Sequence, residues 1–117
     1  MPERGSPIVD VRWIGPKQST AVIAAAGDID LHRSASFQRG LLEVLARGPE
    51  RIVVDLTYVP YMDSSGVASL VKLLSRARKG GAEVYLTDLT DRVRSVFEIT
   101  RLDTVFTICD TEQEALA

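Results

Sequence analysis

The chain has 117 residues, 45% apolar and 26% charged, with a net charge of -2 at pH 7. That suffices for one core and excludes a second, and the near balance of charge gives no electrostatic footing for nucleic acid. No stretch approaches the run of about 18 apolar residues that a membrane span needs, and a single cysteine, Cys109, excludes an internal disulfide.

Residues 1–7 hold two prolines, a glycine and charges. They predict a loose arm before one domain over residues 8–117. They contain no hydrophobic region of the kind a signal peptide carries, so a cytoplasmic protein is expected. From Ile8 to Ile14 apolar and polar residues alternate, with Val9, Val11 and Trp13 on one face and Asp10 and Arg12 on the other. This predicts a strand with one wet face. Gly15-Pro16 breaks it. Thr20 to Ala26 is an uninterrupted apolar run, expected for a strand buried on both sides and paired antiparallel with the first.

Apolar strands centred on Val22, Val53 and Val84 stand 31 residues apart, each followed by helical spacing. That is the beat of βα units, whose right-handed crossovers make the three strands parallel. Phe37, Leu41, Val44 and Leu45 share a face of the first helix, which Gly48-Pro49 ends. Val67, Leu70, Val71, Leu74 and Ala77 share a face of the second, which Gly80-Gly81 ends. Lys72, Arg76, Arg78 and Lys79 gather toward its carboxyl end, where cations suit the helix dipole. A third, short helix with Val93, Val96 and Phe97 begins near Asp91. A last strand near Val105 to Ile108 and a short helix from Glu112 close the chain. The fold class is α/β: an amino-terminal hairpin and βα units in a mixed, mostly parallel sheet with helices packed against it.

Parallel strands put their following loops at one end, where α/β proteins keep their sites. The loops Gly27 to Arg33, Tyr58 to Ser64 and Thr87 to Asp91 are therefore expected to meet. Together they form an acidic surface carrying Asp28, Asp30, Asp63, Asp88 and Asp91 around Ser64. Asp63, Ser64 and Ser65 fall at the entrance of the second helix, where unpartnered N–H groups favour both a cap and an anion. Asp30 and Asp91 are expected to cap the first and third helices. Asp55, within a buried strand, needs a hydrogen-bond donor or a place at the strand end.

Catalysis finds little support in these residues. His32 is the only histidine, and no Gly-x-Ser-x-Gly elbow accompanies the serines. Asp28-x-Asp30 lacks the spacing of a calcium loop. No metal, cofactor or catalytic residue is expected, and Cys109 reads as a small buried hydrophobe.

Val54 to Val67, read as Val-Asp-Leu-Thr-x-Val-x-Tyr-Met-Asp-Ser-Ser-Gly-Val, resembles the signature of the STAS domain family, specifically its bacterial anti-sigma-factor antagonists. Gly27-Asp28-Ile29-Asp30 resembles the family's turn after the second strand, and the likeness spans about Ile8 to Leu116. The resemblance implies a binding protein whose unphosphorylated form holds an anti-sigma factor serine kinase with a GHKL-type ATP site and so frees the sigma factor. It implies that phosphorylation at Ser64 breaks that complex and that a PPM-type serine phosphatase restores it. The implied partner-binding residues are Asp28, Asp30, Met62, Asp63, Ser64, Ser65, Gly66 and Val67, with Met62, Val67 and the exposed side of the second helix supplying contact area. Free, the chain is expected to be a monomer, with no nucleic acid bound and no insertion into membrane. The alternative implied by the same family is the STAS subunit of an ABC lipid transporter, docking on its ATPase without a phosphorylation cycle.

Overall fold

The computed structural model describes residues 6–117. Five strands lie side by side in chain order: β1 (Ile8–Ile14), β2 (Thr20–Ala26), β3 (Arg51–Tyr58), β4 (Glu83–Thr87) and β5 (Thr107–Cys109). β1 pairs antiparallel with β2, and the remaining pairs are parallel, as the hairpin and the βα beat predict. The helices are α1 (Ser34–Ala46), α2 (Ser64–Gly80), α3 (Asp91–Ile99) and α4 (Glu112–Leu116).

The main core lies on one face of the sheet. Ala21, Ile23, Ile52, Val54, Leu56, Val84 and Leu86 meet Phe37 and Leu41 of α1, Leu70, Leu73 and Ala77 of α2, and Val93 and Phe97 of α3. Phe97 and Phe106 pack edge to face with ring centroids 5.5 Å apart, a favoured aromatic geometry. Among the described residues the opposite face is covered by α4, through Ala115 against Val22 and Val53. A five-residue helix cannot cover a sheet, so β2 is not buried on both sides along its length: Ala24 and Ala26 stay partly exposed.

Several boundaries differ from the expectations. In β1, Ile8 lies opposite Ala25 and Asp10 opposite Ala24, so Val9 is the extra residue of a bulge. Val9 is therefore exposed, and Ile8 takes the core position beside Val11 and Trp13. On α2, Leu73 is buried where Val71 was expected, and Val71 is 40% exposed. The last strand is Thr107–Cys109 rather than Val105 to Ile108, because a 3-10 turn over Leu102–Thr104 brings Phe106 into the core first. Cys109 is half-buried, and burial pushes its thiol pKa up. The expected arm lies mostly outside the described residues, but Pro7 is buried and its carbonyl accepts from the Ala26 N–H at 2.8 Å.

Helix ends follow local chemistry. Gly81, with φ +81°, closes α2 in the left-handed conformation that favours glycine, and its N–H reaches the carbonyls of Ala77 and Arg78.

Candidate functional site

The loops after β2 and β3 are joined by backbone. Ile29 and Met62 form a parallel bridge, the Ile29 N–H donates to the Tyr61 carbonyl at 3.0 Å, and the Asp63 N–H donates to the Ile29 carbonyl at 3.2 Å. The loop after β4 joins them through the Thr90 hydroxyl, which donates to the Val59 carbonyl at 3.0 Å. The three loops thus meet at one end of the sheet, as the parallel topology requires.

Asp63 is the N-cap of α2. Its Oδ1 accepts from the N–H groups of Ser65 at 2.9 Å and Gly66 at 3.3 Å, and from the Ser65 hydroxyl at 2.5 Å. Its Oδ2 accepts from the Leu31 N–H at 3.1 Å. One carboxylate therefore starts the helix and fastens the loop after β2 to it. The Ser65 hydroxyl is the largest cause that holds its pKa below the usual carboxylate value; burial opposes it, and the backbone donors of Gly66, Ser65 and Leu31 add to the lowering.

Ser64 occupies the first position of α2, exposed, and among the described residues its hydroxyl has no hydrogen-bond partner. Ser65, one residue on, is partly buried with its hydroxyl committed to Asp63. The two serines are chemically alike and structurally opposite. Only Ser64 presents an accessible oxygen at the positive end of the helix dipole.

The other residues in the signature shape this end from within. A Cβ on Gly66 would stand 2.6 Å from Met62 Cγ, 2.8 Å from the Ile29 carbonyl oxygen and 2.9 Å from Ile29 Cγ2. Glycine is thus what lets α2 start against the bridge between the loops. Met62 is 1% exposed and Val67 7%. The expectation that Met62 and Val67 supply contact area is corrected by this burial, and Gly66 is likewise buried. Accessible apolar groups at this end are instead Leu31, 73% exposed, together with Tyr58 and, two turns along α2, Val71.

The expected acidic surface also contains cations. The Arg33 guanidinium donates to the Asp28 carbonyl at 3.0 Å, and Arg92 lies over the Tyr61 ring at 5.3 Å. Asp30 does not cap α1. Its Oδ1 accepts from the N–H groups of His32 and Arg33, closing the turn that precedes the helix. Asp91 does not cap α3 but stands inside its first turn, with Thr90 at the cap position. Asp55 is satisfied by the Thr57 N–H at 2.9 Å and the Thr57 hydroxyl at 2.6 Å. Among the described residues no group of three or more His, Cys, Asp or Glu side chains is placed to hold a metal ion.

The STAS domain model matches residues 16–115, most of the chain and the whole of this site. The chain belongs to the STAS domain family. It is 33% identical over 92 residues to the anti-sigma-B factor antagonist of Listeria monocytogenes, covering 79% of this chain and 81% of that protein. Its fold is shared by an anti-sigma factor antagonist from Mycobacterium paratuberculosis, with a TM-score of 0.79 at 21% identity, covering 92% of this chain and 90% of that one. The phosphorylated form of the Bacillus cell fate determinant SpoIIAA gives a TM-score of 0.67 at 21% identity, covering 92% and 96%. No helix of the described residues is long and apolar enough to cross a membrane.

Proposed function

We propose that this STAS domain is an anti-sigma-factor antagonist, a binding protein switched by a phosphoryl group on Ser64. The observation that carries the reading is the contrast at the start of α2: Ser64 is exposed with a hydroxyl that has no partner among the described residues, while Asp63 and Ser65 are occupied in building the helix start. The relative in Listeria bears the name of such an antagonist, and SpoIIAA has a phosphorylated form, which supports the same reading.

The unphosphorylated chain binds an anti-sigma factor serine kinase of the GHKL type through Leu31, Ser64 and the exposed side of α2, and the sigma factor is released. The kinase transfers the terminal phosphoryl group of ATP to the Ser64 oxygen, the hydroxyl proton leaving to a base on the kinase and ADP departing. A PPM-type phosphatase removes the group by hydrolysis.

The switch follows from electrostatics. A serine phosphate carries about -1.5 to -2 charges at neutral pH. At a helix N-terminus it gains about 0.3–1 kcal/mol from the dipole, so the fold tolerates it. A partner packed over the same spot must bury an unpaired dianion, which costs several kcal/mol, or about a hundredfold or more in affinity.

Incubation of the chain with a candidate kinase and ATP, followed by mass spectrometry and calorimetry of both forms, tests this. One phosphate on Ser64 and a loss of binding are expected. Phosphate on Ser65 alone, or equal affinity of the two forms, overturns the proposal.

A further inference from the structure

The two edges of the sheet are unlike. β5 is three residues long, a short edge of the kind that resists pairing. β1 is seven residues long and holds neither proline nor lysine. Beside it runs a groove of about 520 Å³ between β1 and α1, floored by Ile8, Val11, Trp13 and Val44 and rimmed by Glu43 and Arg47. Arg47 reaches across it, its guanidinium 6.0 Å from the Trp13 ring centroid. Val9, displaced by the bulge, is 51% exposed at the mouth. None of these residues belongs to the loop site around Ser64.

We propose that a second copy of this chain docks here, β1 against β1 and α1 against α1, about a twofold axis. The argument is charge complementarity. Glu43 and Arg47 are both exposed and stand one turn apart on the same flank of α1. An antiparallel copy of α1 centred near Leu45 sets each Glu43 opposite the second copy's Arg47, twice by symmetry. On the strand, an antiparallel register centred on Val11 sets Asp10 opposite the second copy's Arg12, again twice; within one chain Arg12 already pairs with Glu112 of α4 and lies 3.9 Å from Asp10, so the strand contact exchanges partners and the pair on α1 carries the charge argument. A twofold interface must be complementary to itself, and Glu43 with Arg47 on α1 meets that condition. The bulge at Val9 limits backbone pairing in this register to Asp10–Arg12, which keeps the association short and reversible. Because the loop end of the sheet stays clear, each copy keeps its Ser64 accessible.

Sedimentation velocity on the full chain, from about 5 μM to about 500 μM, tests the proposal. The mass of the wild type is expected to rise from one chain toward two, and the emission of Trp13, the single tryptophan, to shift to the blue over the same range. Glu43→Arg and Arg47→Glu replace exposed side chains, and their circular dichroism should match the wild type. Each alone is expected to weaken association tenfold or more, since each sets like charges together at both contacts. Mixed, the two variants are expected to regain association as a heterodimer, because every contact is again between opposite charges. A wild type that remains one chain throughout overturns the proposal. So does a dimer that both reversals leave unchanged, or a mixture of the variants that fails to associate.

Discussion

Ser65 donates its hydroxyl to Asp63 at 2.5 Å, so the residue beside the candidate acceptor serves the carboxylate that caps the helix. The same carboxylate holds the Leu31 N–H. One ionised group thus orders the start of α2 and adds a side-chain tie to the backbone bridge that holds the loop after β2.

A pH dependence follows. The folded-state pKa of Asp63 lies below its ordinary value of 3.8, so in acid the unfolded chain binds the proton more readily than the folded one. The stabilisation is therefore complete above the ordinary value and is lost as pH falls through the depressed folded one. Asp63→Asn keeps the shape, gives up the charge, and is expected to lower stability at neutral pH by about 1 kcal/mol. Its denaturation midpoint should fall less steeply than that of the wild type below pH 4. Parallel acid limbs for the two proteins would show that Asp63 is not the responsible group.

Gly66 supplies a second prediction. Replacing it with alanine gains up to about 1 kcal/mol of helix propensity. The added methyl, however, meets the Ile29 carbonyl oxygen at 2.8 Å as well as Met62 and Ile29 side-chain carbons. A backbone oxygen held in the bridge between loops has little room to move, so overpacking of about 1–3 kcal/mol should win. Thermal melting of Gly66→Ala is expected several degrees below wild type. Gly80→Ala, whose methyl meets nothing within 4 Å, is expected to melt at or slightly above it.

The fold was legible because β-branched strands and helical stripes repeat at a spacing that only βα units explain. Ile52 to Leu56 and the stripe through Leu70, Leu74 and Ala77 reach the core as expected. What escaped was set by contacts remote in sequence. The bulge at Val9 depends on how β1 meets β2, and no local alternation marks it. Met62 and Val67 look like contact residues beside Ser64, yet the bridge to Ile29 turns Met62 inward. Leu31 leaves no such mark, because an isolated leucine in a loop carries no period. Gly66 did leave a signal: glycine in the first turn of a helix is costly unless something approaches closely.

Ser65→Ala separates support from acceptance. The variant removes one hydrogen bond to the cap and leaves the Ser65 N–H in place. A loss of about 1 kcal/mol in stability is expected, with phosphorylation by the partner kinase still found on Ser64. Loss of all phosphate from a folded Ser65→Ala would move the acceptor to Ser65 and contradict the assignment.

The final prediction concerns the charge at Ser64 itself. Ser64→Ala removes an exposed hydroxyl without a partner among the described residues, so the fold and the affinity for the kinase should stay near wild type while phosphorylation disappears. Ser64→Asp places one negative charge at the first position of α2, where the dipole offsets it by about 0.3–1 kcal/mol, and its melting temperature should change little. An aspartate has fewer acceptor oxygens and less charge than a phosphate, so it should reproduce only part of the switch. Calorimetry with the kinase is expected to rank affinity as Ser64→Ala near wild type, then Ser64→Asp about tenfold weaker, then the phosphorylated chain weakest. If Ser64→Asp binds as tightly as Ser64→Ala while the phosphorylated chain does not bind, charge alone is not the cause. The size and geometry of the phosphate against the partner would then carry the switch.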